Sequence, residues 1–302
     1  MLTNSPTKSA LVTGATSQIG RFLLPRLESA GFTVTAITRQ SPPPNSAGIS
    51  WQQADLQSSL DSQADFLFHL APLPLLPPFL AHNSTLTRII AFSSTSCFTK
   101  ENSPERHERA IAAQLKEAEI AFSAICQAHN ISWTILRPTL IYGCGIDKNV
   151  TFIAQLIRRF GFFPILGRGT GLRQPVHADD LAAACLQACL SPATANKAYN
   201  LSGGETLTYR DMVEAIFQQL GKKSRIISIP LPVFKILSRI ISRLPVAMIT
   251  RMNQDLCFDH AAAYQDFAYS PRTFRDNNMG FERRDDSHFS NFSNICLINA
   301  VF

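Results

Sequence analysis

The segment VTGATSQIGR, residues 12–21, decides the fold of this chain. It follows the apolar run ALVT and opens a stretch with helical spacing, QIGRFLLPRLESAG. Gly14 permits a tight turn between a strand and a helix, Gly20 permits close packing of that helix, and the helix N-terminus offers N–H groups to a pyrophosphate. The spacing therefore predicts a dinucleotide-binding loop rather than a purely structural turn. The residues expected to line it are Thr13, Gly14, Ser17, Gln18, Ile19 and Gly20.

Strand-like and helical segments alternate from Ser9 to about Pro138. The strand-like runs are FTVTAIT, DFLFHLA, RIIAFSS and ISWTILRP, and RAIAAQLKEAEIAF (109–122) is an amphipathic helix. This alternation predicts an α/β fold, a Rossmann-type doubly wound parallel sheet with helices on both faces. The proline-rich stretch PLPLLPPFLAHN leaves little room for a full crossover helix before the fifth strand.

The second half of the chain has a looser order and predicts a smaller C-terminal substrate domain. Its helical segments HADDLAAACLQACL and TYRDMVEAIFQQLG are separated by a strand-like KAYNLSG. We expect a nucleotide-binding domain over 1–145, with its sheet completed by later strands, and a substrate-binding region over 146–275. The Asn- and Ser-rich residues 276–302 are expected to form a poorly ordered tail.

Composition narrows the classes of partner. The 302 residues carry 28 Lys and Arg against 22 Asp and Glu, a mild excess without long basic runs, so we expect phosphate-bearing small molecules and no nucleic acid. The seven cysteines form no C-x-x-C pair and lie mostly in apolar runs, which favours buried thiols and no metal site. The N-terminal residues show no secretory signal, so the expected location is cytoplasmic.

The end of the second predicted strand bears on the choice of cofactor. An acidic residue there would bind the 2′-hydroxyl of an NAD ribose, but this sequence has Thr38 and Arg39. A guanidinium suits a 2′-phosphate through charge-assisted hydrogen bonds. We therefore favour NADP(H) over NAD(H), with a solvated arginine at a strand end as the alternative.

Several short motifs fall in one order: TGATSQIG, Ala54-Asp55-Leu56, HLA at 69–71, SSTS at 93–96, LRPTLIYG at 136–143 and RQPVHADDLA at 173–182. In this order the chain resembles the extended and atypical short-chain dehydrogenase/reductase superfamily, and within it the NAD-dependent epimerase/dehydratase family. The resemblance implies oxidoreductase, epimerase or dehydratase chemistry on a nucleotide-sugar-like substrate. It further implies cofactor contacts at Asp55, Leu56, His69, Leu70, Ala71 and Pro138, an active-site hydroxyl at Ser94 or Thr95, and a substrate phosphate contact at Arg173.

The catalytic pair of that family is incomplete here. The family places a tyrosine four residues before a lysine; Lys116 matches the lysine, but Ala112 stands at the tyrosine position. An alanine methyl has no proton to exchange with a substrate oxygen. Lys116 is expected to bind the nicotinamide ribose, the alternative being a surface charge. A non-catalytic sensor of NAD(P)H, or an assembly protein, is therefore the rival to an enzyme, because some superfamily members without the tyrosine, including an accessory subunit of respiratory complex I, are similar in that respect.

Residues 232–245, PVFKILSRIISRLP, predict one more feature. Lys235, Arg239 and Arg243 recur every four residues opposite an apolar face, which is typical of a packed surface helix. The same pattern also suits peripheral contact with an anionic membrane surface. The sequence leaves the oligomeric state and the substrate open.

Overall fold

The structure, a computed structural model, describes residues 8–56, 63–80, 85–230 and 252–275. The expected basic helix over 232–245 and the expected tail over 276–302 lie outside these residues. Two compact units divide the chain: the first holds 1–138, 178–201 and 259–270, and the second holds 139–177, 202–258 and 271–302. Each unit is taken below by its described residues.

The strands, in chain order, are β1 (Lys8–Thr13), β2 (Phe32–Thr38), β3 (Ile49–Gln53), β4 (Phe66–His69), β5 (Arg88–Phe92), β6 (Ser132–Pro138), β7 (Ile141–Tyr142), β8 (Phe163–Leu166), β9 (Leu172–Arg173), β10 (Val176–His177), β11 (Lys197–Leu201), β12 (Leu207–Thr208) and β13 (Ile226–Ile229). The helices are α1 (Gln18–Ser29), α2 (Leu76–Leu80), α3 (Ser96–Thr99), α4 (Arg106–Ala128), α5 (Val150–Phe160), α6 (Ala178–Leu190), α7 (Tyr209–Gln219) and α8 (Ala261–Phe267). Two short 3₁₀ turns span Leu73–Leu75 and Pro192–Thr194. None of the helices described is long and apolar enough to cross a membrane.

The first unit is built on a seven-stranded parallel sheet in the order β11-β6-β5-β4-β1-β2-β3. Every residue of β5 is buried, as expected of a strand covered on both faces. The chain enters at β1, winds outward to β3, and returns to β4 on the other side of β1, which places a topological switch point between β1 and β4. The expected Rossmann-type doubly wound sheet is confirmed.

The connection between β4 and β5 is short, as the prolines indicate. It contains one 3₁₀ turn and the five-residue helix α2 within the described residues. Leu73, Leu76 and Phe79 bury their side chains in the core of this face of the sheet, next to Phe122 of α4. The described part of the connection therefore covers this face of the sheet with a 3₁₀ turn and one short helix.

The second unit has three two-stranded sheets, β7 with β10, β9 with β12 and β8 with β13, and the helices α5 and α7. Its core is a single cluster that includes Tyr142, Phe217 and Phe274. Helix α6 packs on α1, and β11 hydrogen-bonds to β6. Residues 178–201 therefore return to the sheet of the first unit.

A buried hydrogen-bonded histidine ties the carboxyl ends of β1 and β4 together. His69 Nδ1 lies 2.8 Å from Thr13 Oγ1, and its Nε2 lies 3.3 Å from the carbonyl oxygen of Pro72. A carbonyl only accepts, so Nε2 carries the proton and the Thr13 hydroxyl donates to Nδ1. Both side chains are wholly buried. Burial lowers the pKa of His69 from its ordinary 6.5 to about 4, against the opposing effect of the Pro72 carbonyl.

This histidine predicts a loss of stability in mild acid. The folded state holds His69 neutral, so the unfolded chain binds an extra proton as the pH falls from about 6.5 to about 4, and up to about 3 kcal/mol is lost over that range. We expect urea unfolding, followed by circular dichroism, to show this loss in the wild type and not in His69→Gln. The same replacement at exposed His107 is the control. Parallel pH profiles for wild type and His69→Gln would contradict the role assigned to His69.

Candidate functional site

The turn between β1 and α1 leaves no room for a side chain at position 14. Gly14 has a φ of +67°, and a Cβ added there would lie 2.7 Å from both the Ala71 nitrogen and the Leu70 carbonyl carbon. A Cβ on Gly20 would lie 2.1 Å from the carbonyl oxygen of Ala15, so the first turn of α1 is equally tight. The glycines of the motif are therefore required by close backbone approaches, as the sequence predicts.

Ser17 occupies the position at which the dinucleotide motif has its middle glycine. It is the N-cap of α1, and its hydroxyl oxygen accepts a hydrogen bond of 3.2 Å from the N–H of Gly20. Its own N–H donates to the carbonyl of Gly14 at 2.9 Å. The side chain thus caps the helix, with Gln18 and Ile19 in the first turn, where backbone N–H groups lack partners within the helix and the helix dipole favours an anion.

The ends of β2 and β3 lie side by side at the same edge of the sheet. Thr38 pairs with Gln53 in the register, and the amide of Gln53 donates to the carbonyl of Arg39 at 3.2 Å. Arg39 is exposed, and its guanidinium forms no ion pair within the described part of the chain. Asp55 is exposed two residues beyond β3, and Leu56 is buried. The chain after β2, with Arg39, therefore lies next to the end of β3, from which the Asp55 segment follows.

His69, Leu70 and Ala71 follow β4 and lie against the Gly14 turn. The imidazole of His69 has no ring nitrogen left to bind a ligand, because Thr13 and Pro72 engage both of them. Leu70 and Ala71 are partly exposed. The contact that this segment offers to a ligand is therefore its backbone and the side chains of residues 70 and 71, rather than the imidazole.

Of the two candidate hydroxyls after β5, only one is free to act on a substrate. Thr95 is 6% exposed, and its hydroxyl donates to the carbonyl of Pro138 at 3.1 Å, which joins the ends of β5 and β6. Ser94 is partly exposed, and its oxygen accepts from the N–H of Ser96 at 3.1 Å. Within the described residues the Ser94 proton has no acceptor, so this hydroxyl can still donate.

Ala112 and Lys116 lie one turn apart on α4. The methyl group of Ala112 is 1% exposed, so the side chain at the tyrosine position is covered by protein. The ammonium of Lys116 lies 2.6 Å from a carboxylate oxygen of Glu101, and both side chains are substantially exposed, at 37% and 52%. Such an ion pair contributes about 0–1 kcal/mol, so the ammonium can exchange Glu101 for another partner at small cost. Sequence reasoning missed Glu101, because no motif links it to Lys116.

A row of polar side chains crosses β5, β6 and β11 on the face that carries α4. Arg137 pairs with Asn200 in the register and forms a bidentate ion pair with Glu119 of α4, with Nε to Oε1 at 2.9 Å. Ser93 follows β5, and its N–H donates to Leu136 at 2.8 Å. Two buried side-chain atoms, the Ser93 hydroxyl oxygen and the amide oxygen Oδ1 of Asn200, have no hydrogen-bond partner among the described residues. A polar residue inside the strand-like KAYNLSG is the sequence signal for Asn200.

Arg173, expected to contact a substrate phosphate, lies in the second unit. It is 5% exposed, and its NH1 donates to the carbonyls of Leu172 and Gln254, each at 2.7 Å. The guanidinium also lies over the ring of Tyr209, 5.6 Å from its centroid. Arg173 therefore fastens the chain near Gln254 to this unit.

Among the described residues no group of three or more His, Cys, Asp or Glu side chains is placed to hold a metal ion.

The curated proteins that this chain resembles include two relatives of low identity. The uncharacterized protein y4nG of Sinorhizobium fredii is 26% identical over 300 residues, covering 88% of this chain and 75% of that protein. Subunit 9 of the NADH dehydrogenase [ubiquinone] 1 alpha subcomplex, mitochondrial, of Arabidopsis thaliana is 26% identical over 204 residues, covering 62% of this chain and 48% of that protein. The second relative is thus matched over about half of its length.

Among solved structures, the UDP-glucuronic acid 4-epimerase of Bacillus cereus, in complex with UDP-glucuronic acid and NAD, superposes with a TM-score of 0.69. It is 15% identical and covers 90% of this chain and 96% of its own. This likeness shows the fold.

A family model matches the chain over residues 10–76 and 80–202, which is well over half of its length. These ranges contain the glycine turn, the segment after β4, the Ser94 loop and Lys116. The chain therefore belongs to the NAD dependent epimerase/dehydratase family.

Proposed function

We propose that the first unit binds NAD(P)(H) at the carboxyl ends of β1, β2 and β4. The observation that carries this proposal is the Gly14 turn, in which a Cβ would collide with the backbone of Leu70 and Ala71. A turn of this kind at a switch point places the N-terminus of α1 toward a pyrophosphate. The residues fit the cofactor. The proposed contacts are Thr13, Gly14, Ser17, Gln18, Ile19 and Gly20 at the phosphates, Asp55 and Leu56 beside the adenine, and His69, Leu70, Ala71, Lys116 and Pro138 along the rest.

Within this site Arg39 favours NADP(H). Its guanidinium is exposed, lies at the end of β2 and has no carboxylate partner in the described residues, so it is available to a 2′-phosphate. The Bacillus cereus structure holds NAD, so NAD(H) is the alternative for this chain.

Arg39 predicts the nucleotide preference. Charge-assisted hydrogen bonds to a phosphate contribute about 1.5–3 kcal/mol, so Arg39→Ala is expected to weaken NADPH binding roughly 10- to 100-fold and to leave NADH binding nearly unchanged. Fluorescence titration with each nucleotide measures both affinities. Arg106→Ala, at an exposed arginine at the start of α4, is the matched control. Equal effects on NADPH and NADH, or none on either, would contradict the proposal.

The proposed activity is oxidoreductase, epimerase or dehydratase chemistry on a nucleotide-sugar-like substrate. When bound, the nicotinamide supplies or accepts a hydride. The Ser94 hydroxyl would donate a hydrogen bond to the substrate oxygen at which charge develops, because its own oxygen is already held by the Ser96 N–H. Lys116 would bind the ribose hydroxyls after leaving Glu101. Because the Leu172 and Gln254 carbonyls hold NH1 of Arg173, contact with a substrate phosphate would use the Nε and NH2 groups of its guanidinium.

Ser94 provides the test of catalysis. Nucleotide sugars such as UDP-glucose are screened both for a changed sugar product and for net formation or consumption of NAD(P)H, since epimerases and dehydratases regenerate the nicotinamide. Ser94→Ala is expected to lower kcat at least about 100-fold while NADPH affinity stays the same. Ser96→Ala, which keeps the backbone N–H that holds residue 94, is the control. If Ser94→Ala kept full turnover, Ser94 would not be the active-site hydroxyl.

A second candidate is a non-catalytic sensor of NAD(P)H or an assembly protein. The observation that favours it is Ala112: the position carries no proton donor, and its methyl group is covered by protein. The Arabidopsis relative, by its name, is a subunit of NADH dehydrogenase. This candidate predicts NADPH binding by the wild type without turnover of any nucleotide sugar in the same screen.

A further inference from the structure

The charge of this chain is distributed unevenly. Two stretches, 148–178 and 215–254, contain no acidic residue and hold twelve of the 28 basic residues. The remaining chain carries 16 basic against 22 acidic residues, so it is net acidic. Such asymmetry indicates a surface that attracts anions, provided that the two stretches meet in the fold.

The two stretches do meet, in the parallel pair β8 and β13 of the second unit. Phe163 pairs with Ile226 and Pro164 with Ile227 in the register. Phe163 and Ile165 belong to the core, whereas Pro164 and Ile227, which pair in the register, are exposed.

Three large apolar side chains are exposed around this strand pair. Ile227 is 50% exposed, Phe160 at the end of α5 is 49% exposed and Phe162 is 39% exposed. The two phenyl rings lie with centroids 6.2 Å apart across Gly161. A soluble surface seldom groups such side chains without a partner for them.

Basic side chains surround these apolar groups. The guanidinium of Arg159 lies 5.2 Å from the centroid of the Phe160 ring. Lys222 donates to the carbonyls of Ile157 and Arg158, at 3.2 and 2.9 Å. These hydrogen bonds hold the segment between α7 and β13 on the end of α5. Lys223 and Arg225 are exposed, and neither they nor Arg159 form an ion pair within the described residues. Three unneutralised cations thus flank the exposed rings.

We propose that this basic–aromatic face, made of Phe160, Phe162, Ile227, Arg159, Lys223 and Arg225, docks on an anionic lipid bilayer. Apolar and aromatic side chains insert at the boundary of headgroups and acyl chains, and arginine and lysine pair with lipid phosphates, which is how interfacial surfaces bind. A single-stranded nucleic acid fits less well, because Arg159 covers the Phe160 ring and Ile227 has no π-face on which a base could stack. The proposal is independent of the dinucleotide site.

Co-sedimentation of the full chain with vesicles tests the proposal. The wild type is expected to bind phosphatidylcholine vesicles that contain phosphatidylglycerol, to bind pure phosphatidylcholine weakly, and to dissociate as salt is raised. Phe160→Ser/Phe162→Ser/Ile227→Ser is expected to lose binding by roughly tenfold or more. The control Ile120→Ser/Leu190→Ser/Tyr264→Ser replaces three exposed apolar side chains of the first unit and should bind as the wild type does.

A second variant keeps the apolar groups and removes the charge. Arg159→Gln/Lys223→Gln/Arg225→Gln is expected to bind the anionic and the neutral vesicles equally weakly. Unchanged vesicle binding in both triple variants would overturn the proposal. A single-stranded RNA oligonucleotide provides a second test. The proposal would also be overturned if this RNA bound the wild type and displaced it from vesicles, and if only the charge variant, and not the apolar variant, bound the RNA more weakly.

Discussion

The close approach between the turn after β1 and the chain after β4 is the constraint on which this structure depends. The backbone of Leu70 and Ala71 occupies the space in which a side chain at position 14 would lie, and the hydrogen bond from Thr13 to His69 holds the two strand ends in register. The His69 ring is anchored in turn by the Pro72 carbonyl. Because the two strand ends are fixed, the N-terminus of α1 faces a defined edge of the sheet, which is the property that a phosphate-binding turn needs.

The fold was predictable because its signals are local. Apolar runs of strand length, the turn with Gly14 and Gly20 and the amphipathic α4 each depend on neighbouring residues, and the structure has them as sheet, turn and helix. The sequence predicts that later strands complete the first sheet but not which neighbour each one has, since β11 pairs with β6 across more than 60 residues of chain. The sequence shows a strand there but not its neighbour.

The sequence predicts where the candidate site lies, but not which contacts hold its side chains. The order of motifs places Ser94, Thr95 and Lys116 at one edge, but only the structure shows that the Thr95 hydroxyl is held by Pro138 and that Lys116 pairs with Glu101. Arg173 is the clearest case of a long-range effect. Its guanidinium bonds to the carbonyl of Gln254, 81 residues away, a contact that no local pattern indicates.

The chain has Ala112 where the family has its tyrosine. Glu119 still joins α4 to β6 through Arg137, so Lys116 is held at the edge of the sheet although Ala112 has no proton to give. We propose that Lys116 is a cofactor ligand, and fluorescence titration of NADPH tests this on wild type, Lys116→Ala and Glu101→Gln. We predict that Lys116→Ala weakens binding at least about tenfold and that Glu101→Gln, by releasing the ammonium, tightens it up to about fivefold. Affinities identical in all three proteins would contradict the claim.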